Sequence, residues 1–370
     1  MPQGFLLGPL FFAWSDLVLT LVMLLLVIPL GRRYGQRLAR HGFNLDTAFA
    51  SGARAWVVLG GFVGLCLLMG LIYRLPHLIH PSWLGLLEPG SWLLAKAGAV
   101  LIAAMAGPLS TQQSPLKSGR QVHWAMALGV FCVLAVSGLQ GWFMRPISPD
   151  LIKVRHAADG SILQSTGVTC SAAAFANALR LFGIEASERE AARILGTRDS
   201  GTSQAQLLNG ARHYGLFAHY VSVRPKHVAR MNRPAIVSID LRVIMHSILV
   251  YGHDTLGNLL VIDPISGKGK LTPERYSAQL KVNEGVVLTP SPIPHIGPDS
   301  PRFLLQRVRG QLRREGLLTA AGEGYDQALT EAIKAFQRNW QIPDHGHIDA
   351  QTWLLLTGPE QGIQSKLSES

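Results

Sequence analysis

Charge is distributed very unevenly along this chain, and that constrains it more than any motif. Four runs in the first 144 residues are almost wholly apolar: Phe11–Leu30, Ala55–Ile72, Trp92–Leu109 and Val122–Phe143. A helix crossing a hydrocarbon core of about 30 Å needs about 20 such residues, so each run reads as a span. The third holds Lys96, close enough to one end for its amine to snorkel to the headgroups. The expected architecture is a multidomain membrane protein whose residues 1–144 form a four-helix transmembrane region. The N-terminal MPQGFLLGPLFFAWSD has neither a basic start nor a small-residue cleavage site, which argues against a cleaved signal peptide.

Basic residues orient such a region. The loop after the first run carries Arg32, Arg33, Arg37, Arg40 and Arg54 against Asp46, and the loop before the fourth carries Lys117 and Arg120 with no acid. The positive-inside rule places both loops in the cytoplasm, and everything after Phe143 outside. Part of the net charge of +11 is therefore topological signal, and no nucleic-acid-binding motif stands behind it. A hydrophobic share of 48% excludes disorder.

Residues 145–290 have the composition of a soluble α/β domain with one cysteine, Cys170; Cys66 and Cys132 fall in the apolar runs. A disulfide within this domain is thus excluded, and an unpaired cysteine on an oxidising side is a candidate reactive thiol. SAAAFANALRLFG follows it with helical periodicity and Gly183 as a stop. Cys170 is thereby placed at a helix N-terminus, where the dipole favours a thiolate. Gln164, in the loop entering that helix, is placed to donate to an oxyanion, with the Cys170 N–H as second donor. Further on, MHSILVYG and NLLVIDP read as strands joined by HDTLGN. If they pair as a hairpin, His246 and Asp263 become neighbours, the arrangement of an imidazole base oriented by a carboxylate.

Gln164-x5-Cys170 before a helix, Gly-Thr-Ser opening another, Pro-Ala-Ile before a strand, His-x-x-Leu-Val-x-Gly, and Asp-Pro-x-x-Gly together resemble the C39 peptidase family, a papain-like α+β group. The resemblance implies Cys170 as nucleophile, His246 as general base and acid, Asp263 as the group orienting it, and Gln164 as oxyanion donor. Thr169 and Ser171 stand where the family usually has aspartate and glycine, so a looser loop and a narrower approach to the thiol are expected. The phosphate-binding motif G-x-x-x-x-G-K-[ST] of the family's peptidase-transporters is absent. His213, His219, His227 and His253 match no role and read as surface or satisfied residues. No Cys/His cluster has zinc spacing, and no cofactor is expected.

Within TPSPIPHIGPDSP, residues 291–301 read as a semi-stiff linker. The segment 302–360 then shows three helical stretches and is similar to the peptidoglycan-binding domain 1 family through Leu312, Gly316, Gly324, Thr330, Ala332, Phe336, Gln337, Gly346, Ile348, Asp349, Thr352 and Trp353. That resemblance implies a small all-α three-helix bundle. Tyr325, Asp326, Arg338 and Asp344 are its exposed candidates for binding peptidoglycan. Residues 361–370 form a tail. Joined to the charge asymmetry, this gives a multi-pass protein of a bacterial inner membrane with residues 144–370 on the periplasmic side. The expected activity is a cell-wall-binding thiol peptidase acting on a peptide or protein substrate, after Gly-Gly if it follows the family. The alternative is a non-catalytic scaffold tethering a secretion or transporter assembly to peptidoglycan.

Overall fold

The computed structural model describes residues 7–42, scattered positions between 93 and 131, and residues 145–358 apart from 242–244 and 281. The chain divides into two compact units, Met1–Arg145 and Pro146–Ser370.

In the first unit, α1 (Leu7–Arg40) is 34 residues long and contains Pro29. Among the described residues, no helix is long and apolar enough to cross a membrane. This overturns the four-helix transmembrane region, and with it the multi-pass inner-membrane placement expected above. The physical reason is visible in α1. Asp16 and Arg32 bracket an uncharged stretch of 15 residues, about 22 Å of helix at roughly 1.5 Å per residue, against a core of about 30 Å. The second expected span lies wholly outside the described residues, the fourth outside them but for Phe131, and the third is described only at scattered positions. At Gly31 and Gly35 an added Cβ would come within 2.7 Å of Ala104 and Met105, so α1 passes close to that part of the unit.

The second unit is built on a six-stranded antiparallel sheet. It opens with three helices: α2 (Cys170–Leu181), α3 (Glu188–Leu195) and α4 (Gln204–His213). Ser187 caps α3 by accepting from the Glu190 N–H, and Gly196 ends it at a φ of 63° that a side chain would strain. Ser203 and Gln206 form a full capping box on α4. Then come β1 (Phe217–Ser222), α5 (Pro225–Met231), β2 (Ala235–Asp240), β3 (Met245–His253), β4 (Leu259–Asp263), β5 (Gly267–Leu271), α6 (Pro273–Gln279) and β6 (Glu284–Thr289). The strand order is β1-β6-β2-β3-β4-β5.

Alternation along the strands splits the sheet into two apolar faces. Ile236, Leu249, Ile262, Val286 and Leu288 pack beneath α2–α4. Val237, Ile239, Ile248, Val250, Val261 and Val287 belong to the opposite core, with Val228 and Met231 of α5 and Tyr276 of α6. The result is a papain-like α+β domain.

The described residues close with three helices, α7 (Arg302–Arg314), α8 (Gln327–Asn339) and α9 (Ala350–Thr357), the last two capped by Asp326 and Asp349. Their apolar residues Leu305, Val308, Leu312, Ile333, Phe336 and Leu354 are continuous with the second sheet core. The proline-rich segment before α7 is held against the bundle, with Ile296 buried and bridged to Ile348. Polar contacts reinforce this junction. His227 is fully buried, bonding Ser222 Oγ through Nδ1 and the Trp340 carbonyl through Nε2. Arg230 donates to the Leu355 carbonyl, pairs with Glu315 and lies over the Trp340 ring.

Candidate functional site

The site forms where the start of α2 meets the start of β3. Five alanines of α2 (172, 173, 174, 176 and 178) are fully buried. Their small side chains let the helix backbone approach the sheet closely and so bring its N-terminus to the strand end. Asn177 fixes the incoming chain to the helix: its amide donates to the carbonyls of Ile162 and Ala173, and its oxygen accepts from the Ile162 N–H. Past Ile162, the Gln164 N–H donates to the Pro264 carbonyl at 2.8 Å, tying the loop before α2 to the turn after β4.

Cys170 is the first residue of α2 and has a free thiol. β3 and β4 pair as an antiparallel hairpin with a bulge between Val250 and Gly252. Pairing puts His246, at the start of β3, beside Asp263, at the end of β4, and His246 Nε2 lies 2.7 Å from Asp263 Oδ1. His246 is 1% exposed. With Nε2 engaged, Nδ1 is the nitrogen left for the sulfur.

These contacts set the proton affinities. Burial pushes the Cys170 thiol up, but hydrogen bonds from His246 and from the Ser247 backbone and hydroxyl outweigh it, and its pKa falls below the ordinary thiol value. Burial alone would depress His246, yet its hydrogen bonds to Asp263 and Cys170 hold the imidazolium and raise it to about 9. Asp263 is lowered: burial opposes ionisation, while His246 and the Ile265 N–H favour the carboxylate. All three shifts run toward the charged form, in the direction of a thiolate, an imidazolium and a carboxylate side by side.

The fourth sequence candidate sits differently. Gln164 occupies the loop before α2, but its side-chain amide donates to the Thr166 carbonyl at 3.0 Å. The expected loosening by Thr169 does not occur. Its hydroxyl accepts from the Thr166 N–H and donates to the Thr166 carbonyl, closing the loop on itself. Glu188 holds the same loop by accepting from both the N–H and hydroxyl of Ser165. Nor does Ser171 narrow the approach to the thiol, because its side chain is buried against Ser247, Oγ to Oγ 2.8 Å. Ser247 and Glu188 were missed in the sequence. Ser247 carried a signal, a polar residue in an otherwise apolar strand directly after His246; Glu188 carried none beyond its place in a helix's first turn.

The bundle candidates are each engaged internally. Tyr325 donates to the Gly346 carbonyl. Asp326 caps α8 and pairs with the buried Arg309 at 3.0 Å. Arg338 and Asp344 pair with each other at 3.3 Å. No group of three or more His, Cys, Asp or Glu able to hold a metal occurs among the described residues.

A family model described as Peptidase C39 family matches residues 160–293. An uncharacterized protein of Methanothermobacter marburgensis is 30% identical over 127 residues, 34% of this chain and 84% of that relative. Through these residues the chain belongs to the Peptidase C39 family. Among solved structures, the C39 domain is similar to a double glycine motif protease from an AMS/PCAT transporter in complex with its leader peptide, at 20% identity and a TM-score of 0.32, covering 38% of this chain and 94% of that one. It is also similar to the peptidase domain of Streptococcus ComA, a bi-functional ABC transporter involved in quorum sensing, at 19% identity and a TM-score of 0.32, covering 35% of this chain and 96% of that one. At the level of the family, the C39 domain is a cysteine peptidase.

Proposed function

We propose that this protein is a thiol peptidase in which Cys170, His246 and Asp263 act as a triad. The observation that carries the reading is the 2.7 Å bond between His246 Nε2 and Asp263 Oδ1, supported by the interaction of His246 with the Cys170 thiol at a helix N-terminus. The Cys170 thiolate attacks a peptide carbonyl. The Cys170 N–H and, after its amide leaves Thr166, Gln164 receive the oxyanion. His246 protonates the departing amine and then takes a proton from the water that releases the acyl group. Asp263 keeps the imidazole oriented and supports its charge. Cleavage after Gly-Gly is the substrate class that family membership favours.

The test is alkylation of Cys170 in the full chain, followed by mass spectrometry of its peptide, together with cleavage of Gly-Gly leader-like peptides. Labelling faster than a free thiol at pH 6, abolished in His246→Ala, is expected. A free-thiol rate insensitive to His246 would overturn the reading.

One observation favours a second reading, a non-catalytic scaffold: the Gln164 amide is spent inside its own loop. The same labelling experiment decides between the two. A peptidoglycan-binding role for the bundle is supported by its sequence pattern, and sedimentation of the full chain with purified peptidoglycan sacculi tests it. Recovery only in the supernatant would remove it.

A further inference from the structure

We propose that Ser247 is a positioning residue for the Cys170 sulfur, and that the Ser171 hydroxyl sets the direction of its hydrogen bond. The proposal rests on the peptidase reading above but is carried by different atoms. Ser171 Oγ and Ser247 Oγ are 2.8 Å apart across 76 residues of sequence, where the first turn of α2 crosses β3. Both side chains are buried, so neither is a solvated surface hydroxyl. Ser171 directly follows Cys170 and Ser247 directly follows His246, so this bond ties the thiol's turn to the imidazole's strand, and the Ser247 hydroxyl and N–H both favour the thiolate.

Either hydroxyl of the pair could donate to the other; in this proposal the sulfur is the thiolate, and hydrogen-bond accounting then gives the pair a direction. A thiolate has no proton to give and can only accept. Ser247 therefore donates its hydroxyl proton to sulfur, and its lone pair accepts the proton of Ser171. The result is a directed line, Ser171 O–H to Ser247 O–H to sulfur. In a buried setting each bond polarises the next.

The two serines differ in role from His246. The imidazole gives its proton to the leaving amine and later regains one, so its charge alternates through the cycle. The serines keep their protons throughout. They hold the sulfur in one orientation when it attacks, and again when it is expelled from the acyl-enzyme. Ser171, in place of the expected glycine, thus serves as the anchor of this line.

The test measures iodoacetamide alkylation of Cys170 from pH 4 to 9 in the full chain, read by mass spectrometry, for wild type, S247A, S247T, S171A and H246A. S247A should raise the apparent thiol pKa by about one unit, making alkylation at pH 6 about tenfold slower. S171A should shift the profile the same way by less, and S247T, which keeps the hydroxyl, should restore it. A purely packing role would leave the pH profile in place. An unshifted S247A profile, or a shift that S247T fails to restore, overturns the proposal while leaving the peptidase reading intact. Should S247A not fold, S171A decides: an unshifted profile overturns the proposal. A wild-type profile matching a free thiol and insensitive to His246 removes the peptidase reading and this proposal together.

Discussion

The two faces of the sheet do different work. Under α2–α4 the packing is fine-grained, with fully buried alanines against Ile236, Leu249 and Ile262, and it sets the start of α2, with Cys170, against the strand that carries His246. On the other face, Val237, Ile248, Val250 and Val261 share one core with α5, α6 and the C-terminal bundle, and its product is stability. Chemistry and cohesion are thus divided across one layer of strands. Damage to one face should leave the other measurable.

The largest test of that division is removal of residues 290–370. Burying one Val, Leu or Met side chain contributes about 1.5–3 kcal/mol, and a domain's net stability is about 5–15 kcal/mol. Losing the cover of Val221, Val228 and Met231 together with the bonds at His227 and Arg230 therefore approaches the whole margin. The truncated chain should show no cooperative thermal transition by circular dichroism. By contrast, Cys170→Ala should melt within a few degrees of wild type. A truncation that melts normally would show that the bundle is merely attached.

Second in size is the response to alkali. His246 has its folded pKa raised from about 6.5 to about 9, so its contribution to stability is complete below pH 6.5 and is lost as pH rises through 9. Alkylation of Cys170 should lose its His246-dependent enhancement over the same window, and the wild-type melting midpoint should fall more between pH 7 and 10 than that of His246→Gln. Asp326 behaves in the opposite sense. The Leu329 N–H and Arg309 hold its carboxyl below the usual range, so its contribution is present above the ordinary carboxylate pKa and lost in acid. If alkali weakens His246→Gln and wild type equally, the titrating group lies elsewhere.

How much of this was legible in the sequence follows the range of the signals. The expected grouping of Cys170, His246 and Asp263 rests on a helix start and a hairpin, both written in neighbouring residues; in the structure Cys170 opens α2 and His246 bonds Asp263. The junction with the bundle was not legible. His227 read as surface or satisfied because its partners, Ser222 and the Trp340 carbonyl, lie 5 and 113 residues away. β5 escaped because GKGKL has no apolar alternation, and α5 because seven residues are too few for a period. The membrane reading failed for a related reason. Scarcity of charge over the first 144 residues was taken for spanning length, yet in α1 the uncharged stretch ends at Arg32, well short of a bilayer.

The smallest effect separates the faces most cleanly. Arg230 stands on α5 with Nε on the Leu355 carbonyl at 3.0 Å, its terminal nitrogen on Glu315, and its guanidinium 5.3 Å from the centre of the Trp340 ring. A partly exposed ion pair contributes about 0–1 kcal/mol, and a cation over an aromatic face about 0.5–1 kcal/mol at an exposed site. Arg230→Ala should therefore lower the melting midpoint by about 2–4 °C for a unit of this size. Arg230→Lys should recover little of it, since an ammonium cannot fork to a carbonyl and a carboxylate while lying flat on the ring. Neither variant should change the pH profile of Cys170 alkylation, because Arg230 touches only the stabilising face. A profile that moved with the melting point would mean that strain at the bundle crosses the sheet to the thiol, and the two faces would then be one mechanical unit.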